Sequence, residues 1–252
     1  MVKEHPITFS GPLLQSILDG EKAVTRRLIR FREERQPVVF TADIERGAKT
    51  QRILYQHWIA HFDDGGKEEV RCPFGIPGDH LWVRENYAIC PKTDLVFFRA
   101  TDPLPEGARW QTSRFMKKEY HRLRLELTDI AVTRLQAGMT EPEVILEGVR
   151  YGKTVDPVDA FRTLWDQLHG DDGSRWDDDP WVWRLSFDVS GYYEFDLERD
   201  PDKISIKHRP TQTTLGCVPP HAPWTFLRGI LNLARKGTVT KKELKYRIDS
   251  LN

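Results

Sequence analysis

The stretch FSGPLLQSILDGEKAVTRRLI, residues 9–29, predicts a short helix that leads directly into a strand. Ser10 is a residue type that caps helices, and the apolar residues after it share one face over residues 12–19. Gly20 stands where a left-handed residue commonly ends a helix. The segment AVTRRLI, residues 23–29, then reads as a strand. The corner between the two elements is the first candidate for a functional site, the floor of a pocket for a nucleobase or nucleotide.

This corner carries a cluster of cations and one hydroxyl, namely Lys22, Thr25, Arg26 and Arg27. An ammonium just past a helix meets the partial negative charge of the helix's carboxyl end. If Lys22 points instead into a partly dry cleft near Arg26, its pKa falls and it can act as a base. Thr25 would then offer a hydroxyl that Lys22 activates, or that orients a water. The alternatives are that these groups bind a base edge without chemistry, or form only a solvated strand edge.

A second informative stretch is CPFGIPGDHLWVRENYAI, residues 72–89. Its prolines and glycines predict a tight loop, followed by a strand. One face of that strand carries Leu81, Val83 and Glu85, and the other carries Trp82 and Arg84. A carboxylate beside two aliphatic residues is unusual, so Glu85 lies either just past the core edge or inside with a cationic partner. Trp82 is either a core residue or a platform for a flipped base.

Periodicity organises the rest of the first 195 residues. Strands are predicted at residues 37–44, 52–62, 121–135 and 181–189, a hairpin turn at 63–67, helices at 140–148 and 156–170, and a long loop at 91–118. Strands dominate and helices are few and short. The fold class is therefore predicted to be α+β, with a small β-barrel or curled sheet and flanking helices.

The character of the chain changes at about residue 196. A proline-rich linker is predicted first, and then a basic hairpin of two helices as an appendage up to residue 252. We thus predict one domain over residues 1–195, with insertions near 30–70 and 91–118, and a linker with a hairpin extension over residues 196–252. The basic hairpin either clamps phosphates or docks on the acidic segment before it.

Composition excludes several classes of protein. Lys plus Arg and Asp plus Glu are equal at 38 each, so no global field indicates a polyanionic partner. The three cysteines have no CxxC spacing, and the sequence shows no leader and no long apolar run. We therefore predict a cytoplasmic protein without a membrane partner. His57 and His61 have helical zinc spacing but no third ligand, so we expect neither a metal nor another cofactor. The oligomeric state stays open.

Three motifs in chain order resemble the ASCH-domain proteins of the PUA-like superfamily, and most of all the long variants of bacteriophages and prophages. They are ITFSGPLLQSILDGEKAVTRRL (7–28), CPFGIPGDHLWVRE (72–85) and FRTLWDQLHGDDGSRWDDDPWVWRLSF (161–187). The resemblance covers about residues 5–190 and is weakest over 30–70. It implies a PUA-like β-barrel with helices packed around it, and a cleft that relatives use for RNA or a modified nucleobase.

The family signature, Gly-x-Lys followed by a threonine and an arginine, falls on Gly20, Lys22, Thr25 and Arg26. Some small members deacetylate N4-acetylcytidine with a lysine, a threonine and a later glutamate. The resemblance therefore implies a catalytic role for Lys22, Thr25 and Glu85. The residues predicted to contact a nucleobase or nucleic acid are Ser10, Gly11, Arg26, Arg27, Trp82 and Arg84.

Three functions are expected from these patterns. The first is binding of RNA or a modified nucleoside or nucleotide in an ASCH-type cleft, with DNA as the alternative polymer. The second is a metal-independent amidohydrolase that deacylates an N4-acylated cytidine-like nucleoside, with ribonuclease activity as a weaker alternative. The third is a phage assembly or host-interaction protein whose cleft is vestigial.

Overall fold

The structure is a computed structural model that describes residues 2–31, 36–47, 53–170, 174–193, 195–199, 201–208, 213–218, 222, 227–228 and 231. Thirteen strands and three α-helices form within these residues. The chain is therefore α+β, with mostly strands and few helices, as its periodicity predicted. No helix among the described residues is long and apolar enough to cross a membrane.

The helices are α1 (Gly11–Leu18), α2 (Glu141–Leu146) and α3 (Pro157–His169). The strands are β1 (Glu4–Thr8), β2 (Val24–Leu28), β3 (Val39–Arg46), β4 (Ile53–His61), β5 (Lys67–Val70), β6 (His80–Arg84), β7 (Tyr87–Ile89), β8 (Val96–Phe98), β9 (Leu123–Arg134), β10 (Trp181–Tyr192), β11 (Phe195–Arg199), β12 (Ile204–His208) and β13 (Thr213–Val218).

These strands form three sheets. The largest has eight strands in the order β1-β6-β9-β10-β11-β12-β13, with β2 also paired to β10. The others have the orders β3-β4-β5 and β7-β8. No closed barrel is detected among the described strands, because the order of the large sheet ends at β1 and at β13 without a closing pair. The small β-barrel expected from the sequence stays a prediction.

The chain divides into two compact units that alternate along the sequence. Unit 1 holds residues 1–5, 21–81 and 126–188, and unit 2 holds residues 6–20, 82–125 and 189–252. Several long strands, β10 among them, contribute residues to both units. The domain boundary predicted near residue 195 stays a prediction.

In unit 1, α2 and α3 share a hydrophobic core. Helix α3 begins where the sequence predicted, because the Asp156 side chain accepts hydrogen bonds from the N–H groups of Val158 at 2.8 Å and Asp159 at 3.2 Å. The buried residues of this core are Leu135, Val144, Val149, Phe161, Trp165, Trp176 and Val182. Helix α2 ends at Leu146 with Glu147 as its cap, and Gly148 follows with a φ of 72°, which suits glycine. The packing of these two helices fixes the position of the end of α2.

The loop before β6 is held by one aspartate in unit 1. Asp79 is 3% exposed and accepts hydrogen bonds from the backbone N–H of Lys3 at 2.9 Å and of Ile76 at 3.2 Å. Gly75 has φ 104°, and a Cβ there would lie 2.7 Å from Asp79 Oδ2. The loop is therefore as tight as its proline and glycine content predicted.

In unit 2, α1 packs through one apolar face. Leu14, Ile17 and Leu18 are at most 1% exposed, and Gly20 follows with φ 76°. The helix begins after Ser10, as expected, but the Ser10 side chain makes no capping hydrogen bond. Tyr87, Phe98 and Met116 form a second buried cluster in this unit.

The hairpin turn predicted at 63–67 is confirmed, since β4 and β5 pair across it with His61 opposite Lys67. Other segments differ from the predicted pattern. The predicted loop at 91–118 contains β8, a 3-10 turn at Ser113–Phe115 and the start of a second at Lys118–Tyr120, and β12 and β13 lie where a linker was predicted. Most of the predicted C-terminal hairpin lies outside the described residues. His57 and His61 lie on strand β4, not on a helix, and the described residues hold no cluster suited to a metal ion.

Candidate functional site

Strand β2 places four of the predicted site residues together in unit 1, namely Lys22, just before the strand, and Thr25, Arg26 and Arg27 within it. β2 pairs antiparallel with β10, and Arg26 lies directly opposite Arg184. Residues directly opposite in such a pair project from the same face of the sheet. Two like charges in this arrangement repel each other unless an anion lies between them.

Lys22 is buried, at 4% exposure, and its ammonium donates three hydrogen bonds. The acceptors are the carbonyl oxygens of Val24 and Glu147, both at 2.6 Å, and Glu147 Oε2 at 3.0 Å. Glu147 caps the end of α2, so the ammonium lies at the negative end of that helix. The helix whose carboxyl end Lys22 contacts is therefore α2, and not α1 as its position in the sequence predicts.

Two carboxylates of α2 and its cap neutralise the paired arginines. Arg26 Nη1 lies 2.8 Å from Glu147 Oε1, and Arg26 Nη2 lies 2.9 Å from Glu143 Oε1. Arg184 binds the same Glu143 carboxylate through Nε at 2.6 Å and Nη2 at 3.1 Å. We call Lys22, Thr25, Arg26, Glu143, Glu147 and Arg184 the β2 cluster. It joins three cations to two carboxylates.

Burial shifts the protonation equilibria within the β2 cluster. Burial lowers the pKa of Lys22, and the positive charges of Arg27 and Arg26 lower it further, while Glu147 opposes the shift. For Glu143, burial alone would raise the pKa, but the hydrogen bond from Arg184 and the charge of Arg26 outweigh it and lower the pKa. The cluster therefore holds an ionised carboxylate beside an amine whose protonated form is disfavoured.

One buried polar atom of the β2 cluster lacks a partner among the described residues. Thr25, next to Arg26 in β2, is 3% exposed. The Nε of Arg26 is buried and has no acceptor within that part of the chain. Buried polar groups are nearly always satisfied, so each exception needs an explanation. A ligand with complementary donors and acceptors would supply one.

Glu85 lies in unit 2 and forms a separate buried ion pair. Its two carboxylate oxygens accept from Arg122 Nε and Nη2, each at 2.8 Å. Arg122 Nη1 also donates to Thr101 Oγ1 at 2.7 Å and to the Tyr193 hydroxyl at 3.3 Å. The Arg122 guanidinium lies 4.3 Å from the Phe98 ring centroid. Glu85 is therefore held inside by a cationic partner, which was one of the two alternatives for it.

Every side-chain nitrogen and oxygen of the Glu85–Arg122 pair has a hydrogen-bond partner. Burial raises the pKa of Glu85, and Arg122 opposes that rise. For Arg122, burial would lower the pKa, but the Glu85 carboxylate outweighs burial and raises it. Such a satisfied pair is typical of a structural element. The predicted catalytic role of Glu85 stays a prediction.

The other predicted contact residues of unit 2 lie at α1 and β6. Ser10 precedes α1, and its carbonyl accepts from the Leu14 N–H at 2.8 Å, while Gly11 is exposed. Trp82 and Arg84 are half-buried on the face of β6 opposite to Val83. They share a face, as the alternation of the strand predicted.

Sequence reasoning missed the residues that bind the predicted ones, namely Glu143, Glu147, Arg184 and Arg122. Thr140 and Glu143 have the spacing of a capping box at the start of α2, yet the Thr140 side chain makes no capping hydrogen bond and Glu143 binds Arg26 and Arg184 instead. One signal was present, because Glu143 and Glu147 are four residues apart and so lie on one side of α2 and its cap.

Comparisons with known proteins give one distant match. No family model matches the chain, and no curated protein matches it. The crystal structure of protein EF3133 from Enterococcus faecalis V583, described by the family model DUF984, is similar at 11% identity with a TM-score of 0.37. That match covers 77% of this chain and 84% of the other. It is a weak and distant structural relation.

Proposed function

We propose that the β2 cluster recognises a nucleobase, and that the protein binds RNA or a modified nucleoside through it. The observation that carries this proposal is the unmatched Arg26 Nε, which lies beside Thr25 inside an otherwise paired ionic cluster. Leaving such a buried group without a partner costs about 1–3 kcal/mol. A ligand that completes its hydrogen bond recovers that free energy.

The charges of the cluster favour a neutral heterocycle over a phosphate. Glu143 and Glu147 already neutralise much of the charge of Lys22, Arg26 and Arg184. A phosphate would be repelled by these two carboxylates, while a base edge is not. The edge of a cytosine offers two acceptors and an amino donor. It therefore complements an N–H donor, a hydroxyl and a carboxylate.

The order of the three motifs that resemble ASCH-domain proteins supports the same ligand class. We propose on this ground that the chain is a divergent ASCH-domain protein with a PUA-like arrangement of strands. A cytoplasmic location is part of the same proposal.

The test is titration calorimetry. Cytidine, N4-acetylcytidine and uridine are each titrated into the wild-type protein and into a Thr25→Val variant, and the heat of binding is measured. Valine has nearly the shape of threonine, so the variant removes the hydroxyl and little else. We expect the wild type to bind a cytosine-containing nucleoside and the variant to bind it at least about fivefold more weakly. Equal affinity of the two proteins, or no binding by the wild type, would contradict the proposal.

A second candidate function, hydrolysis of an N4-acylated cytidine, is favoured by one observation, the lowered pKa of the buried Lys22. A neutral Lys22 would take a proton from the Thr25 hydroxyl or from a water, and the oxygen would attack the acyl carbon. The C–N bond then breaks, the nitrogen leaves as the amino group with a proton, and water completes the release of the carboxylic acid. The net reaction is addition of one water across the amide.

Chromatography of N4-acetylcytidine incubated with the protein separates the two candidates. Release of cytidine by the wild type, lost in Thr25→Val and in Lys22→Met, would establish hydrolysis. Glu85→Gln in the same assay tests the role that the resemblance gives to Glu85. Binding without cytidine release leaves recognition as the function. Neither binding nor release would leave the assembly or host-interaction hypothesis.

A further inference from the structure

The outward face of β6 joins a cation to an aromatic ring in unit 2. Val83 is fully buried, whereas Trp82 and Arg84 lie half-buried on the opposite face of the strand. The Arg84 guanidinium carbon lies 5.6 Å from the Trp82 ring centroid. An indole and a guanidinium thus share one surface.

Residues 113–121 extend this surface within the same unit. Arg84 Nη1 donates to the Arg114 carbonyl at 3.5 Å, and the rings of Trp82 and His121 have centroids 6.1 Å apart. Phe115, next to Arg114, is 69% exposed. Phe115 therefore presents a large aromatic side chain to solvent next to a cation, an arrangement on which a base can stack.

Cations outnumber carboxylates on this surface. Arg84, Arg114 and Lys118 are cations, and the nearby Glu119 carboxylate is paired with Lys117 at 3.5 Å. The Nε of Arg84 is buried and has no acceptor among the described residues. We call Trp82, Arg84, Arg114, Phe115, Lys118 and His121 the β6 surface. It presents aromatic rings interleaved with cations.

We infer that the β6 surface binds a single-stranded polynucleotide, with bases stacked on its rings and phosphates paired with its cations. Aromatic side chains stack bases of any sequence, and cations beside them follow the backbone. A duplex offers no unstacked base to such rings, so the single strand is the preferred form. This inference rests on the proposed function, binding of RNA or a nucleoside, and adds that the ligand is a polymer.

The test is fluorescence anisotropy with a labelled RNA of about twelve nucleotides, its DNA counterpart and the RNA duplex. Two variants remove rings from the surface, the single variant Phe115→Ala and the double variant Trp82→Ala with Phe115→Ala. Each ring removed should weaken single-strand binding by at least about fivefold. Arg84→Ala with Arg114→Ala should reduce the slope of log affinity against log salt by about 1.4, which is about 0.7 for each phosphate contact. The RNA and DNA arms identify which polymer is bound.

Lys153→Ala with Arg162→Ala is the matched control, because it removes two exposed cations from unit 1. The control should bind as the wild type does. Thermal unfolding of each variant confirms that it is folded, and Phe115→Ala removes only an exposed side chain. Wild-type affinity in the β6 variants would overturn the inference. It would also be overturned if the protein bound the duplex as tightly as the single strand, or if polyglutamate competed as well as unlabelled single-stranded RNA.

The result is distinguishable from failure of the proposed function. Thr25→Val addresses nucleoside binding by the β2 cluster, and the β6 variants address only the polymer. Loss of polymer binding with intact nucleoside binding supports the β6 surface. Intact polymer binding in the β6 variants, with nucleoside binding lost in Thr25→Val, overturns the β6 surface and leaves the proposed function standing.

Discussion

The β2 cluster and the Glu85–Arg122 pair are both buried groups of charges, but they differ in how completely their atoms are partnered. Around Arg122, all side-chain nitrogens and oxygens of the pair are hydrogen-bonded, and an aromatic ring covers the guanidinium. In the β2 cluster, the buried Arg26 Nε has no partner among the described residues. Burial of charge alone is therefore a weaker indication of a binding site than burial of charge together with an unmatched polar group.

The two regions also differ in the cation that each carboxylate neutralises. Glu85 binds an arginine, which cannot lose its proton within a protein. Glu147 binds Lys22, whose pKa burial already lowers, as well as Arg26. Removal of the carboxylate should therefore be more costly in unit 2 than in unit 1.

The largest effect is expected for Glu85→Gln. The substitution keeps the shape of the side chain but leaves the Arg122 charge buried without an anion, at a cost of about 3–5 kcal/mol. Urea unfolding followed by tryptophan fluorescence measures this cost. Glu106→Gln is the control, because Glu106 pairs with Lys92 on the surface of the same unit and should leave the midpoint almost unchanged. If the urea midpoint of Glu85→Gln were close to that of the control, the Glu85–Arg122 pair would contribute nothing to stability.

Glu147→Gln should cost less, about 1–3 kcal/mol, because Lys22 can release its proton and Arg26 keeps Glu143. The same urea titration measures it, with Glu21→Gln as the control, since Glu21 pairs with Arg150 on the surface of unit 1. If Glu147→Gln lowered the free energy of unfolding more than Glu85→Gln does, the proposed difference between the two regions would be reversed.

The pH dependence of stability gives a smaller effect. The pKa of Lys22 is lowered in the folded protein, so between that value and about 10.4, the value in the unfolded chain, the unfolded state binds more protons. The free energy of unfolding should therefore rise with pH in this window, because the cost of burying the ammonium is fully present only below the folded pKa. Lys22→Met should lack this rise, and parallel curves for the two proteins would contradict the shift.

Local elements of the fold were predictable from the sequence, and partners distant along the chain were not. The α1–β2 corner, the start of α3 at Asp156 and the alternation of β6 follow from spacing within a few residues. In contrast, Lys22 meets Glu147 across 125 positions and Glu85 meets Arg122 across 37, and only the pairing of strands and helices brings them together. Within β12, Ile204 and Ile206 alternate and are fully buried, a strand signal that the proline-rich context concealed.

The smallest change in stability is expected for Thr25→Val, and it gives the sharpest comparison with unit 2. If the Thr25 hydroxyl serves a ligand and not the fold, its removal should change the free energy of unfolding by less than about 0.5 kcal/mol. Thr101→Val is the matched substitution, since the Thr101 hydroxyl accepts from Arg122 at 2.7 Å, and it should cost about 0.5–1.5 kcal/mol. Urea unfolding of the two variants side by side measures both. A substantial loss of stability for Thr25→Val would mean that its hydroxyl serves the fold, and its proposed role in nucleobase recognition by the β2 cluster would lose its support.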